Sequence, residues 1–262
     1  MNQVGAILVI VSIVLCGCRR AAVDRTPQQN DAELIVAAAV SLKEAFEEIG
    51  RLYTANTGNP VKFSFGASGT LQRQIEAGAP MDVFASAGAT QMDELESGGL
   101  IMPESRRNFA ENDLVLITPA DSKLEINGFA SLTQTAVTRI AIGNPKTVPA
   151  GQYTEQVLTR SGTGDELRAK LITAEDARQV LDYVARDEVD AGVVYATDAR
   201  IGGDKIRVAA VASNGSHDPI LYPIAIVKDS SNSEAARKFV EFVLSSEGQN
   251  ILRRHGFSPA SH

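Results

Sequence analysis

Two serines stand where an apolar run gives way to a helical pattern, and such junctions can hold an anion. Ser41 follows the run Glu33 to Val40 and opens a helical stretch with Glu44 three residues on, and Ser68 follows Phe-Ser-Phe-Gly-Ala and opens another. Pro149-Ala150-Gly151 precedes a helix near Gln152, Thr173-Ala174-Glu175-Asp176 reads as a capping box, and Tyr195 closes the run Gly-Val-Val-Tyr. The start of a helix leaves backbone N–H groups without intrahelical partners and carries a partial positive charge, and both favour an anion. Several such ends converging on one cleft would hold an oxyanion without any cation. A plainer reading fits the same residues: serine is a frequent N-cap, Ser41 with Glu44 is satisfied as a capping box, and Tyr195 as a tyrosine at the edge of the core.

The residues that covalent or metal chemistry needs are missing. His217, His255 and His262 fall near a loop, a helix end and the terminus, with no second His or acidic residue at metal-ligand spacing, so they read as surface histidines. Gly66-Ala67-Ser68-Gly69-Thr70 places Thr70 where a nucleophile elbow needs its last glycine, and it lacks the Gly-Lys-Ser/Thr of a phosphate-binding loop. The expectation is a binding protein rather than an enzyme, with no cofactor.

The elements that would position these residues alternate between short apolar runs and amphipathic stretches, the pattern of an α/β fold with parallel strands. Strands are expected at ELIVAAAV, VKFSF and DVFAS, near 113–118, 139–143, 190–195 and 205–211, and at LYPIAIV. Helices are expected after the first two strands, near 152–160 and 175–187, from a capping box at Ser231 and Glu234 through Leu244, and finally up to His255 with Gly256 as cap. No internal repeat is evident. Two apolar stretches, FAENDLVLITP and ILYPIAIV, flank the middle region, and each reads as a strand crossing from one domain to the other. The chain of 262 residues then divides into a first domain of residues 31–112 plus 222–262 and a second of 113–221, with a cleft between them. A net charge of -7 and a pI near 5.1 argue against a nucleic-acid partner.

The N-terminus carries an apolar run, Val4 to Leu15, too short to span a membrane and of signal-peptide length. It ends in Leu15-Cys16-Gly17-Cys18, which resembles the lipobox of bacterial lipoproteins. Residues 1–17 are thus expected to be a signal peptide, Cys18 the lipid anchor, and 18–31 a polar tether; a plain secretory signal and an uncleaved anchor are the alternatives. Both cysteines of the chain lie here, so no disulfide framework or thiol site is available to the globule.

Six segments, AAAVSLKEAF, FGASGTLQRQIEAGAPMDVFASA, GNPKTVPAGQYTEQVL, TAEDARQVLDYV, DAGVVYATDA and SSEGQNILRRHGFSP, resemble in type and order those of periplasmic molybdate-binding proteins over most of residues 34–258. The resemblance implies a two-domain periplasmic binding protein of type II, its cleft between domains joined by two crossover strands. It implies an extracytoplasmic, lipid-anchored, monomeric receptor that passes molybdate, or tungstate, to the permease of an ABC importer. It places the ligand contacts on the hydroxyls of Ser41, Ser68 and Tyr195 and the backbone N–H groups of Ala150 and Ala177. Ala177 is often Val in such proteins, and Val40 is inserted where they often run straight from Ala to Ser. Another tetrahedral oxyanion such as sulfate, or a sensing role without import, are the competing readings.

Overall fold

The computed structural model of the chain describes residues 33–260. The expected signal peptide, Cys18, the tether and His262 lie outside the described residues.

Among the described residues, ten strands form two five-stranded sheets. Strands β1 (Leu34–Ala39), β2 (Val61–Gly66), β3 (Val83–Ala85), β4 (Arg107–Glu111) and β10 (Leu221–Ile226) build the first, in the order β2-β1-β3-β10-β4. Strands β5 (Leu114–Pro119), β6 (Ile140–Gly143), β7 (Leu171–Ala174), β8 (Ala191–Tyr195) and β9 (Ile206–Val211) build the second, in the order β7-β6-β8-β5-β9. Both sheets are mixed rather than purely parallel: β10 runs antiparallel to β3 and β4, and β5 runs antiparallel to β8 and β9. The two therefore share one plan, three parallel strands followed by an antiparallel strand and an edge strand, although no repeat is visible in the sequence.

Helices cover both faces of each sheet, which is why strands such as LIVAAA are apolar at every position rather than at every second one. In β1, Val36 and Ala38 face α1 (Lys43–Thr57), α8 (Ser233–Leu244) and α9 (Ser246–Arg254), while Ala37 faces α2 (Ser68–Glu76) and α3 (Ala89–Ser97). The first of these faces is filled by rings, Phe46 packing against Phe63, Phe109 and Phe239. In the second sheet, Leu114, Leu116, Ile140 and Val193 pack toward α4 (Pro149–Arg160), and α5 (Gly164–Leu167) adds Leu167 to that core. On its other face, Val115, Ile117, Ala141 and Val194 pack toward α6 (Ala177–Ala185) and α7 (Ala196–Gly202).

Three expectations need correction. FAENDLVLITP is not one crossing strand, because the chain breaks at Asn112, whose side-chain Oδ1 accepts the N–H of Asp113 at 3.0 Å and turns the backbone between β4 and β5. Thr173 lies inside β7, and the capping box belongs to Asp176, which accepts the Gln179 N–H at 2.9 Å, while Gln179 Oε1 accepts the N–H of Glu175 at 2.7 Å. The box expected from Ser231 and Glu234 does not form either: α8 begins after Asn232, and Glu234 pairs with Lys238 one turn on, at 2.9 Å.

Candidate functional site

The five residues singled out by sequence are all buried, at 4% exposure or less, and each sits at the start of a helical segment. Ser41 lies in a 3-10 turn, Val40–Leu42, between β1 and α1, because the strand ends at Ala39 and Val40 begins the turn. Ser68 is the first residue of α2, Ala150 the second of α4 and Ala177 the first of α6. Tyr195 ends β8 and precedes α7.

Hydrogen bonds and close backbone contacts bring these starts together. Ser68 Oγ accepts the N–H of Ala87 at 3.0 Å, and the Tyr195 hydroxyl donates to the carbonyl of the same Ala87 at 2.8 Å. Ala87, which follows β3, thus joins through its N–H and its C=O a serine of the first half to a tyrosine of the second. Gly69 donates its N–H to Thr147 O at 2.9 Å, and its bare Cα is required there, since a Cβ would meet Thr147 backbone atoms at 2.8 Å. This contact draws the start of α2 against the loop leading to Ala150, and Gln91 Nε2 donates to Gln152 Oε1 at 3.2 Å beside it. On the other side the start of α6 packs against the turn that carries Ser41.

Ser41 and Glu44 do not make the capping box that their spacing suggests. Ser41 Oγ lies 3.0 Å from the hydroxyl of Tyr222 on β10, and the Glu44 carboxylate instead takes both terminal nitrogens of Arg178, at 2.8 and 3.1 Å. Arg178 follows Ala177, and its guanidinium also lies 3.7 Å from Asp198. The Arg178 cation beside the start of α6 is therefore shared between two carboxylates, while the helix starts themselves offer an anion the positive ends of backbone dipoles.

The titrating groups around the cluster are shifted mainly by burial. Desolvation drives the phenols of Tyr195 and Tyr222 well above their ordinary range, so both keep their protons and remain donors. Asp198, fully buried, is pushed up to about 7 by desolvation, against the pull of Arg178 and with help from Glu44 and Asp176. Glu44 moves the other way: burial opposes its charge, but the Arg178 hydrogen bonds prevail and lower its pKa.

Sequence reasoning missed Ala87, Asn112, Arg178, Asp198 and Tyr222. Two carry a readable signal, a polar Asn-Asp pair interrupting an apolar run and a tyrosine directly before Pro223 within another. The expectation for His255 changes as well, since its ring lies half-buried, 2.8 Å from the Glu48 carboxylate. Among the described residues no cluster of His, Cys, Asp and Glu could hold a metal ion.

Comparisons with known proteins fit this geometry. The model of the bacterial extracellular solute-binding proteins matches residues 34–258. The Haemophilus influenzae molybdate-binding protein ModA is 36% identical over 231 residues, 87% of this chain and 90% of that protein. A Bacillus subtilis protein named as an ABC transporter substrate-binding lipoprotein, YvgL, is 34% identical over 234 residues, 89% of each chain. The solved periplasmic molybdate-binding protein of Azotobacter vinelandii superposes with a TM-score of 0.77 at 26% identity, covering 87% of this chain and all of that one. The chain belongs to the bacterial extracellular solute-binding proteins of ABC transporters and, among them, to the ModA family.

Proposed function

We propose that the solute is molybdate, with tungstate as a near-equivalent, and that Ser41, Ser68, Tyr195 and the N–H groups of Ala150 and Ala177 hold it. The observation that carries this reading is the convergence of five helix starts, all buried, with the adjacent Arg178 shared between two carboxylates. A fully deprotonated dianion suits a ring of donors. A protonated one brings a hydrogen that meets no carboxylate or carbonyl among these five groups and only hydroxyl oxygens, which are weak acceptors. Hydrogen bonds to a charged group contribute roughly 1.5 to 3 kcal/mol each, so five give ~8 to 15 kcal/mol, a gross range that spans the ~8 to 12 kcal/mol of micromolar to nanomolar binding before closure and ordering costs are met.

The supporting frame is a pair of domains, residues 31–112 with 222–262 and residues 113–221, which close over the anion. A lipid on Cys18 tethers this monomeric receptor outside the cytoplasm, where it delivers its cargo to the membrane-embedded permease; the name of the Bacillus subtilis relative supports the lipid. Calorimetry of the purified protein tests the cargo. Molybdate and tungstate are expected within about tenfold of each other, ~1.4 kcal/mol, with sulfate at least ~100-fold weaker, because its smaller radius leaves some donors out of reach. Sulfate binding as tightly as molybdate overturns the cargo and keeps the oxyanion site; no binding of any of the three overturns both.

A further inference from the structure

The hydrogen count around Ser41 fixes which way its hydroxyl points. Asn112 Oδ1 accepts the N–H of Asp113 at 3.0 Å, and a backbone N–H cannot face an NH2 group, so the amide has one orientation. Its two N–H bonds are then spent, one on Thr197 Oγ1 at 2.8 Å and one on the Tyr222 hydroxyl oxygen at 3.1 Å. Tyr222 is fully buried and keeps its phenol proton, and its ring is held by Phe109, Tyr195 and Phe257, with centroids 6.2, 5.7 and 5.3 Å away. That proton needs an acceptor, and Ser41 Oγ lies 3.0 Å from the phenol oxygen. Were Ser41 the donor instead, the phenol would accept twice and leave its own proton buried without a partner, which is the costlier arrangement. Ser41 therefore accepts from Tyr222, and its single hydrogen is left to point elsewhere. Ser68 is arranged the same way by different means, since its oxygen already accepts the Ala87 N–H.

We propose that Asn112 and Tyr222 are positioning residues that occupy one of the two acceptor lone pairs of Ser41 and turn its hydrogen away from Tyr222 toward the anion, and so bias the site against anions that carry a proton. The proposal rests on the reading that Ser41 contacts the anion. It assigns a binding role to the two segments that link the sheets, because Asn112 lies between β4 and β5 and Tyr222 on the returning strand β10. Without the Tyr222 proton, Ser41 is free to rotate, and both its lone pairs become available to accept a hydrogen from the ligand.

The test is calorimetry of Tyr222→Phe, which keeps the ring and its packing, with molybdate and with phosphate, which carries at least one proton at neutral pH. Molybdate affinity is expected to fall about 5- to 30-fold, and the preference for molybdate over phosphate to narrow by about the same factor. In a Ser41→Ala background the same change is expected to cost less than about twofold, because the residue acts through Ser41. An equal loss in both backgrounds, or a loss of affinity with the molybdate-to-phosphate ratio unchanged, overturns the proposal and leaves the anion site standing. If Ser41→Ala alone leaves molybdate affinity unchanged, the site assignment itself falls. Asn112→Ala, which frees the phenol oxygen without touching Tyr222, gives the same reading should Tyr222→Phe not fold: a narrowed ratio supports the relay, and an unchanged one overturns it.

Discussion

In the proposed site the two halves of the molecule offer donors of different kinds. The half built on the first sheet presents Ser41 and Ser68, side chains whose oxygens are already occupied by Tyr222 and by the Ala87 N–H. The half built on the second sheet presents Ala150 and Ala177, where the side chain is a methyl group and the donor is the main chain at the start of α4 and α6. A hydroxyl must be oriented by neighbours, whereas a helix start is oriented by the helix. Side-chain identity should therefore matter at Ser41 and Ser68 and hardly at all at Ala150 and Ala177, where only the loss of an N–H can be felt; Tyr195 is the one side-chain donor that the second half adds.

The largest effect we expect bears on stability and on the charged support of the second half. Asp198 is held at about 7 by burial, above the ordinary 3.8 that it regains on unfolding, so the folded chain keeps a proton that the unfolded chain has lost. Its contribution is fully present below the unfolded value and disappears as pH rises through 7, with a slope of up to ~1.4 kcal/mol per pH unit between the two. Denaturant melts from pH 4 to 8 should show that decline in the wild type and lose most of it in Asp198→Asn; an unaltered slope would place the responsible group elsewhere.

Ala177→Pro separates backbone from side chain most cleanly. Proline is well tolerated at the first position of a helix, and Asp176 before it is already extended, at φ -156° and ψ 176°. The fold should survive while one N–H is removed, weakening molybdate binding by ~2 to 3 kcal/mol, about 30- to 150-fold. Ala177→Val keeps the N–H and should stay within about twofold. If valine hurts as much as proline, the methyl group matters and the contrast between the halves fails.

The smaller effects lie across the Ala87 peptide. Ser68→Ala removes a donor to the anion and leaves the Ala87 N–H unpaired, for a loss of ~2 to 3 kcal/mol of binding, whereas Tyr195→Phe should cost only ~1 kcal/mol. The Tyr195 proton is engaged by the Ala87 carbonyl at 2.8 Å, so any bond it makes to an anion is made at the expense of that one. A Tyr195→Phe loss as large as that of Ser68→Ala would show the phenol to be a principal ligand.

The alternation of apolar runs and helical spacing made the α/β class legible, and Ser41, Ser68, Ala150 and Ala177, four of the five candidate site residues, do lie at the helix or turn starts that their neighbours announce. What sequence could not supply was the partner of each group. Ser41 and Glu44 satisfy the spacing of a capping box, yet each is claimed by a residue more than 130 positions away, Tyr222 in one case and Arg178 in the other. Local spacing reports only local competition, and a buried phenol or an arginine from another element wins because it satisfies a group that water no longer reaches. The broken strand at Asn112 is a similar case: its apolar flanks read as one run, and a single side-chain-to-backbone bond decides otherwise. The antiparallel strands β5 and β10 have the same apolar composition as their parallel neighbours, so direction was invisible until pairing was known.

The interleaving of β10 between β3 and β4 sets an order of assembly. All strands of the second sheet lie within residues 114–211, so that half has its full set of strands in one continuous stretch. The first sheet does not: β3 and β4 face each other across a gap until residues 221–226 arrive, and α8 and α9 follow later still. A chain emerging from its N-terminus therefore carries two unpaired strand edges while the hundred or so residues between β4 and β10 are delivered, and pairing across that separation is slow because a long loop must close first. The half that contributes Ser41 and Ser68 is begun first and completed last, which leaves its open edges as the part of this protein most in need of protection on the way to its destination.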